Sequence, residues 1–244
     1  MADRADIYDA TRMQIATLAS GLSKEELNTS VPATPAWTIE DVISHLTGDA
    51  TCVIAGDFPR EFFEAFGSEQ GVIALNAWTD KQVTERRGRP LRDVLDEWEE
   101  ATRTLVKMMR GEIPWPDGVL PIADHILLTD IATHQQDIYG ALRMQRDRDS
   151  VQIRVGTAAF IGGVGLRLQM SGAPSIRFVM EDKEVPVGGS DPQATVRVPR
   201  YELFRALSGR RSPDQVKAYD WEGNPEPFIP YFYPYGIRQE ALVE

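Results

Sequence analysis

The sequence predicts a protein of two parts, a helical N-terminal half followed by a smaller α/β C-terminal half. Three observations lead to this fold class. Helical periodicity recurs through the first 145 residues. A charged, glycine-free linker follows, "QRDRDS". Segments that alternate between polar and apolar residues appear after this linker, mixed with helical segments. We therefore expect one domain over residues 1–145 and another over residues 146–244.

Composition narrows the class of protein. The chain has 244 residues, of which 42% are hydrophobic, enough for a sizeable core. The net charge of −11 disfavours nucleic acid and anionic membranes as partners. A single cysteine, Cys52, excludes an intrachain disulfide and favours a reducing compartment. The N-terminal residues lack the apolar stretch of a signal peptide, and no apolar run approaches the roughly 20 residues of a membrane span. We expect a cytoplasmic protein.

The N-terminal third is predicted to contain two helices joined by a connector. The first runs from Asp3 to Ser20 and stops at Gly21. The connector is "LSKEELNTSVPATPAW". The second helix begins after Thr38, a good N-cap, with acids in its first turn, and continues through "IEDVISHLTGDATCVIAG".

The middle of the chain is predicted to supply the remaining helices of the first domain. The region from Phe58 to Arg87 is interpreted as helix, broken near Gly67 and Gly71. Leu91 to Met109 has the clearest helical period. After a loop, "GEIPWPDG", the last long helix is expected over about Ile122 to Arg143.

The C-terminal part alternates helices and strands. A helix is predicted from Val151 to Met170, and another in "RYELFRALSG", where Gly209 closes it. Strands are predicted in "SIRFVME", "ATVRVP" and "QVKAYDW". The tail, "NPEPFIPYFYPYG", is interpreted as an extended strap on the surface, or alternatively as the lining of a pocket.

Two of the three histidines fall on the apolar sides of their helices. At about 100° per residue, Asp130, His134 and Asp137 share the apolar stripe of the last long helix. His45 faces the apolar side of the second helix by the same arithmetic. His125 falls on the opposite side of its helix and is expected at the surface.

This pattern is consistent with a metal site but does not require one. A carboxylate and an imidazole at i and i+4, such as Asp130 and His134, can share an ion. His45 from a second helix would complete a set of two histidines and one carboxylate, which leaves positions for water or substrate. The alternatives are an intrahelical acid–base pair, a satisfied core histidine at position 45, and an exposed acid at Asp137. Cys52 is interpreted as a small buried apolar residue.

Two segments resemble signatures of the mycothiol-dependent maleylpyruvate isomerase family, a branch of the DinB-like metalloenzymes. The first is "LSKEELNTSVPATPAWTIEDVISHL", in which the order and spacing of Trp37, Thr38, Asp41, His45 and Leu46 match. The second is "TDIATHQQDIYGAL", with an acid, a histidine and an aspartate in the family's spacing.

The resemblance implies a ligand set. It makes His45, Asp130 and His134 the metal ligands. Asp137 and Asp49 are expected beside the site, where they support the ligands. The family's acidic ligand is often glutamate, so the shorter Asp130 is a departure that bears on the substrate.

A third segment resembles the family's C-terminal module, "VRVPRYELFRALSGRRSPDQVKAYDWEG". The implied fold is a DinB-like four-helix bundle followed by a small α/β domain similar to sterol-carrier modules. Arg210 is a candidate contact for a substrate carboxylate. The alternative is that Arg210 and Arg211 hold the end of a helix or make surface ion pairs.

The resemblance also implies an activity. We expect a metal-dependent enzyme, with Zn²⁺ as the ion and mycothiol as the low-molecular-weight thiol, that transfers the thiol to a small electrophilic substrate or isomerises that substrate from cis to trans. Hydrolysis by ion-bound water is an alternative. A second class of function is a non-catalytic metal-binding or ligand-carrier protein, in which Asp49 or Cys52 closes the fourth position. A third alternative is an ionic latch without metal.

Overall fold

The computed structural model describes residues 3–145 and 147–243. The chain divides into two compact units, one of Met1–Ala65 with Ile73–Arg146 and the other of Phe66–Val72 with Asp147–Glu244. The combination of a helical N-terminal part with a later mixture of helices and strands is confirmed. The domain boundary between residues 145 and 146 stays a prediction. Every helix among the described residues is too short or too polar to cross a lipid bilayer.

Four of the long helices in the first unit pack on one another. Helices α3 (Ile39–Ile54) and α1 (Arg4–Ser20) each pack against both α6 (Leu91–Met109) and α7 (Ala123–Ala141). Their facing sides carry the apolar core, in which Trp98, Leu105 and Ile43 are almost fully buried. The helices of the chain up to residue 141 are α1 (Arg4–Ser20), α2 (Lys24–Leu27), α3 (Ile39–Ile54), α4 (Arg60–Glu64), α5 (Glu69–Arg86), α6 (Leu91–Met109) and α7 (Ala123–Ala141).

Helix α3 begins where the sequence predicts, because its first turn is closed by a capping box. The Thr38 hydroxyl accepts a hydrogen bond from the backbone N–H of Asp41, and the Asp41 carboxylate accepts one from the N–H of Thr38 at 3.0 Å. Two orphan donors at the helix start are thereby satisfied. The cap fixes where the helix starts, and so the direction in which His45 points.

The connector before α3 contains structure that was not predicted. Ser23 and Glu26 form a second capping box, which starts the short helix α2. Strand β1 (Ser30–Val31) then pairs antiparallel with β2 (Thr34–Thr38). The reading of this segment as a plain connector was wrong, because a four-residue helix and a two-residue strand are too short to show a period.

The region from Phe58 to Arg87 is broken once. The break lies between α4 and α5, where Gly67 has a φ of 80°, a backbone conformation that glycine adopts without steric cost. The predicted second break is wrong, since Gly71 lies inside α5.

The second unit packs helices against a four-stranded sheet, whose order is β4 (Glu184–Val187), β3 (Ser175–Val179), β5 (Pro192–Arg197), β6 (Asp220–Glu222). Strands β3 and β5 are parallel, and the other neighbours are antiparallel. The core includes Leu168, Phe178, Val196 and Leu203. The elements are α8 (Val151–Ser171), β3 (Ser175–Val179), β4 (Glu184–Val187), β5 (Pro192–Arg197), α9 (Arg200–Leu207), α10 (Pro213–Lys217), β6 (Asp220–Glu222) and a 3₁₀ turn (Ile229–Phe232).

Two predictions in this unit were wrong. Most of "QVKAYDW" is not a strand, because a capping box between Ser212 and Gln215 starts helix α10 and leaves only Asp220–Glu222 extended. The aromatic tail is not a surface strap. Its side chains at Phe228 and Phe232 are buried in the core of the unit, where large rings bury more apolar surface than they would on the outside.

Candidate metal centre

Helices α3 and α7 bring the three predicted ligands to one point. Within the described ranges, His45, Asp130 and His134 form a group whose ligand atoms all lie within 4.8 Å of one another. His45 Nε2 lies 3.2 Å from Asp130 Oδ2, and His134 Nε2 lies 3.7 Å from Asp130 Oδ1. Both imidazoles therefore present the same nitrogen, Nε2, to the carboxylate between them.

The cluster is buried at its histidines and accessible at its carboxylate. His45 is 3% exposed and His134 is 5% exposed. The side chain of Asp130 is 30% exposed. Asp130 is therefore the member of the cluster that is most exposed to solvent.

Polar groups stand behind both histidines. His45 Nδ1 is hydrogen-bonded to Gln82 Oε1 at 2.7 Å. His134 Nδ1 lies 3.1 Å from Asp137 Oδ2. Asp137 is only 1% exposed, so the alternative of an exposed acid near the helix end is wrong. Partners of this kind set the ring orientation of a metal-binding histidine.

Asp49 is buried beside His45 rather than being one of the three clustered groups. Its Oδ1 accepts a hydrogen bond from Gln82 Nε2 at 3.1 Å and lies 3.7 Å from His45 Nδ1. Burial raises the pKa of Asp49 to about 8, although the neighbouring His45 lowers it. The carboxyl of Asp49 thus supports the site from behind.

The charges of the cluster depend on one another. Burial lowers the pKa of His45, but Asp49 and Asp130 outweigh burial and raise it to about 9. Burial by itself raises the pKa of Asp130, because it disfavours the charged carboxylate. His134 and His45 outweigh burial and hold the pKa of Asp130 well below its usual range. In the absence of an ion, the imidazole of His45 holds a proton that a metal has to displace.

The side chains present fit a divalent ion. Asp130 Oδ2 is buried and has no hydrogen-bond partner among the described residues, although His45 Nε2 is close to it. Leaving a buried carboxylate oxygen unpaired is costly, and a bound cation removes that cost. Two imidazoles and one carboxylate are donors that catalytic zinc sites use.

Two residues of the site were missed as functional groups by sequence reasoning. The Trp37 ring centroid lies 5.0 Å from that of His45 and 6.0 Å from that of His134, so the indole forms a wall of the cluster. Trp37 lies in strand β2, just before α3, and the sequence analysis used it only as a signature residue. Gln82 lies on α5, a segment whose helical period is weak.

The remaining predicted residues lie outside the cluster. His125 is half-buried rather than fully at the surface. Arg210, in the second unit, donates from Nη1 to the Ser208 carbonyl at 2.6 Å, which holds the end of α9. Arg211 forms an ion pair with Glu202 at 2.8 Å. A contact between Arg210 and a substrate anion stays a prediction.

Cys52 is a buried free thiol, as the sequence predicts. Burial raises its pKa to about 11, with Asp57 adding to the effect. At pH 8 about one thiol in a thousand is then ionised, and only the thiolate attacks disulfide reagents.

We therefore expect Cys52 in the native protein to react with a disulfide reagent at least about tenfold more slowly than in the urea-unfolded chain. The native rate should rise as the pH approaches 11, because the thiolate fraction grows. Absorbance of the released thiol measures both rates, and equal rates in the two states would contradict this reading.

Comparisons with known proteins found a matching family model and similar solved structures. A family model described as the mycothiol maleylpyruvate isomerase N-terminal domain matches residues 8–139. A crystal structure of a histidine-to-alanine mutant of the mycothiol-dependent maleylpyruvate isomerase is similar with a TM-score of 0.54 and 12% identity, over 84% of this chain and 88% of that one. The structure without that mutation gives a TM-score of 0.51 and 12% identity, over 85% and 88%. At this identity the structural likeness shows the fold alone. A search of curated proteins found no match.

Proposed function

The chain belongs to the family of the mycothiol maleylpyruvate isomerase N-terminal domain, and from that premise we propose that it is a metal-dependent enzyme acting through a low-molecular-weight thiol. The thiol is mycothiol, the ion is Zn²⁺, and the second substrate is a small electrophile. The observation that carries the proposal is the convergence of His45, Asp130 and His134 within 4.8 Å. The proposed fold is a DinB-like bundle, over residues 1–145, followed by a sterol-carrier-like domain.

Each side chain of the centre has a distinct task in this proposal. His45 and His134 offer Nε2, and Asp130 offers a carboxylate oxygen. Gln82 and Asp137 stand behind the two imidazoles and keep their rings oriented. When bound, the ion holds the thiol as a thiolate at neutral pH.

The exposed edge of Asp130 gives the thiol and the electrophile a shared approach to the centre. Addition of the thiol S–H across a carbon–carbon double bond leaves a single bond that can rotate. Loss of the same thiol then restores the double bond in the trans form with no net change in atoms. If the adduct is retained instead, the outcome is S-transfer.

The non-catalytic carrier is the competing function, and the geometry favours the enzyme. A structural site would be closed by a fourth protein ligand. Within the described residues, Asp49 and Cys52 are not members of the clustered group, and the Asp130 side chain remains 30% exposed. An open position next to the ion is what a reacting thiol needs.

Two measurements test the proposal in sequence. Elemental analysis of the purified chain should find about one divalent ion per chain, as expected for a mononuclear site. The metal-loaded protein should then consume mycothiol, and not an unrelated thiol such as glutathione, with one or more members of a panel of electrophiles that begins with maleylpyruvate. Metal without thiol consumption across the panel would favour the carrier. A chain that binds no divalent ion would favour the ionic latch.

A further inference from the structure

We propose that Gln82 is a positioning residue of the centre, whose side-chain amide, oriented by Asp49, decides which nitrogen of His45 is turned towards the ion. The inference rests on the proposed metal site. It concerns how the chain prepares one ligand, and it adds α5 to the two helices that carry the ligands themselves.

The amide of Gln82 bridges two groups of α3. Its Oε1 lies 2.7 Å from His45 Nδ1, and its Nε2 donates to Asp49 Oδ1 at 3.1 Å. Gln82 is 0% exposed, so its amide cannot exchange these partners for solvent. A buried amide that lost either partner would cost free energy, which holds the bridge in place.

The placement of the two ends of the amide gives the bridge its direction. The NH₂ end faces Asp49 and donates to its Oδ1, which leaves Oε1 facing His45 Nδ1. The opposite end, Oε1, can only accept. His45 Nδ1 must therefore carry a hydrogen, and the lone pair that can bind an ion is on Nε2. That atom is the one that lies 3.2 Å from Asp130.

Helix α3 leaves space for the Gln82 side chain at Gly48, which has no Cβ atom. A Cβ atom at Gly48 would lie 2.4 Å from Cβ of Gln82 and 2.6 Å from its Cγ. Any larger residue at position 48 would push α5 away from α3. Glycine at this position allows the close approach through which the Gln82 amide reaches His45.

A second contact keeps α5 in that position. Arg86, one turn after Gln82, donates to the backbone carbonyl of Gln82 at 3.0 Å and to the Thr51 hydroxyl of α3 at 2.8 Å. The same guanidinium pairs with Glu97 on α6. Arg86 is 5% exposed, and buried pairs of this kind are costly to break. The bridge therefore rests on an anchored helix.

The choice of an amide over an acid also has a physical reason. A carboxylate at position 82 would still accept from His45 Nδ1, but it could not donate to Asp49. Two carboxyl groups about 3 Å apart resist being ionised together. Glutamine orients the imidazole without adding a negative charge next to Asp49.

The test compares metal binding and the state of His45 in four variants. Gln82→Met keeps the side-chain volume and removes both hydrogen bonds. Its dissociation constant for Zn²⁺, measured by competition with a chelating dye, should rise about 10–100-fold, the usual effect of losing a group that orients a ligand. Gln135→Met is the matched control. Its amide is buried on α7 and bonds Gln14, and its metal affinity should stay unchanged.

A spectroscopic signature separates positioning from general destabilisation. In the Zn²⁺-loaded native protein, long-range ¹H–¹⁵N NMR should show Nδ1 of His45 protonated and Nε2 bound to the ion. In Gln82→Met, the Nδ1–H signal should broaden or shift, because its acceptor is gone. Co²⁺-loaded samples should show a changed absorption band in Gln82→Met and not in Gln135→Met.

A swap of the two groups keeps the inference testable if Gln82→Met does not fold. Gln82→Glu alone should weaken binding, and Gln82→Glu combined with Asp49→Asn should recover most of the affinity, since the amide then donates to the carboxylate from the other side. Unchanged affinity and unchanged NMR signals in Gln82→Met, or no recovery in the double variant, would overturn the inference. If the native protein binds metal and consumes thiol, and Gln82→Met behaves in the same way, the inference about Gln82 fails and the proposed function stands. If the native protein binds no metal, both fail.

Discussion

Purified His134→Ala protein should contain no stoichiometric divalent ion, whereas the native chain should contain about one ion per chain. The imidazole removed is one of three groups that meet within 4.8 Å, and two remaining ligands bind a divalent ion far more weakly than three. The helix itself should persist. Alanine is a better helix former than histidine, and the ends of α7 lie several residues from position 134. Elemental analysis and far-ultraviolet circular dichroism measure the two outcomes.

His125→Ala supplies the matched control, because it makes the same substitution on the same helix. His125 is half-buried and is not part of the clustered group among the described residues. Its replacement should leave the metal content at the native value. Unchanged metal content in His134→Ala would end the assignment of this residue as a ligand, and metal loss in both variants would point to a change in the helix instead.

The three clustered side chains could be predicted from sequence because their placement is largely local. Asp130 and His134 are one turn apart, and the helical period alone puts them on the same face as the apolar residues. Predicting the placement of His45 required one further local feature, the capping box at Thr38 that fixes the start of α3. The family resemblance of these two segments, which the match over residues 8–139 confirms, joined them into one site.

Gln82 could not be found in this way, because its role depends on how two helices pack. It is 37 positions from His45 in sequence, and the contact exists only because α5 approaches α3 at Gly48. The sequence near Gln82 does not indicate which helix this side chain will face, since α5 has no pronounced apolar side. A glycine in the middle of α3 is a weak hint of close approach, but it does not name the partner.

The errors in the second unit have three different causes. The helix in "QVKAYDW" was predictable, since the capping box formed by Ser212 and Gln215 is a local pattern. Strand β4 was not, because four residues show too little alternation and pair only with β3. The tail failed for a third reason. Prolines argue for an extended chain, but they do not say whether the rings between them face inwards.

The inward-facing tail leads to the second large expected effect. Phe232→Ala should lower the free energy of unfolding by about 3–5 kcal/mol, the usual cost of emptying a buried aromatic site. Phe232 is 1% exposed. Its ring centroid lies 6.0 Å from that of Phe178 and 6.2 Å from that of Trp221. Removing the ring leaves a cavity between the sheet and the tail that neighbouring side chains of the core can fill only in part.

Urea denaturation followed by circular dichroism measures this loss. Ile237→Ala, one residue beyond the tail, is the control, because Ile237 is 55% exposed and its truncation should change the free energy by no more than about 0.5 kcal/mol. If the tail were a surface strap, both variants would change the free energy of unfolding by close to zero. A loss below about 1 kcal/mol in Phe232→Ala would favour the strap, since burying a phenylalanine contributes more than that. A loss confined to Phe232→Ala assigns the tail to the core of the second unit, as an element that the sheet needs in order to cover its apolar face.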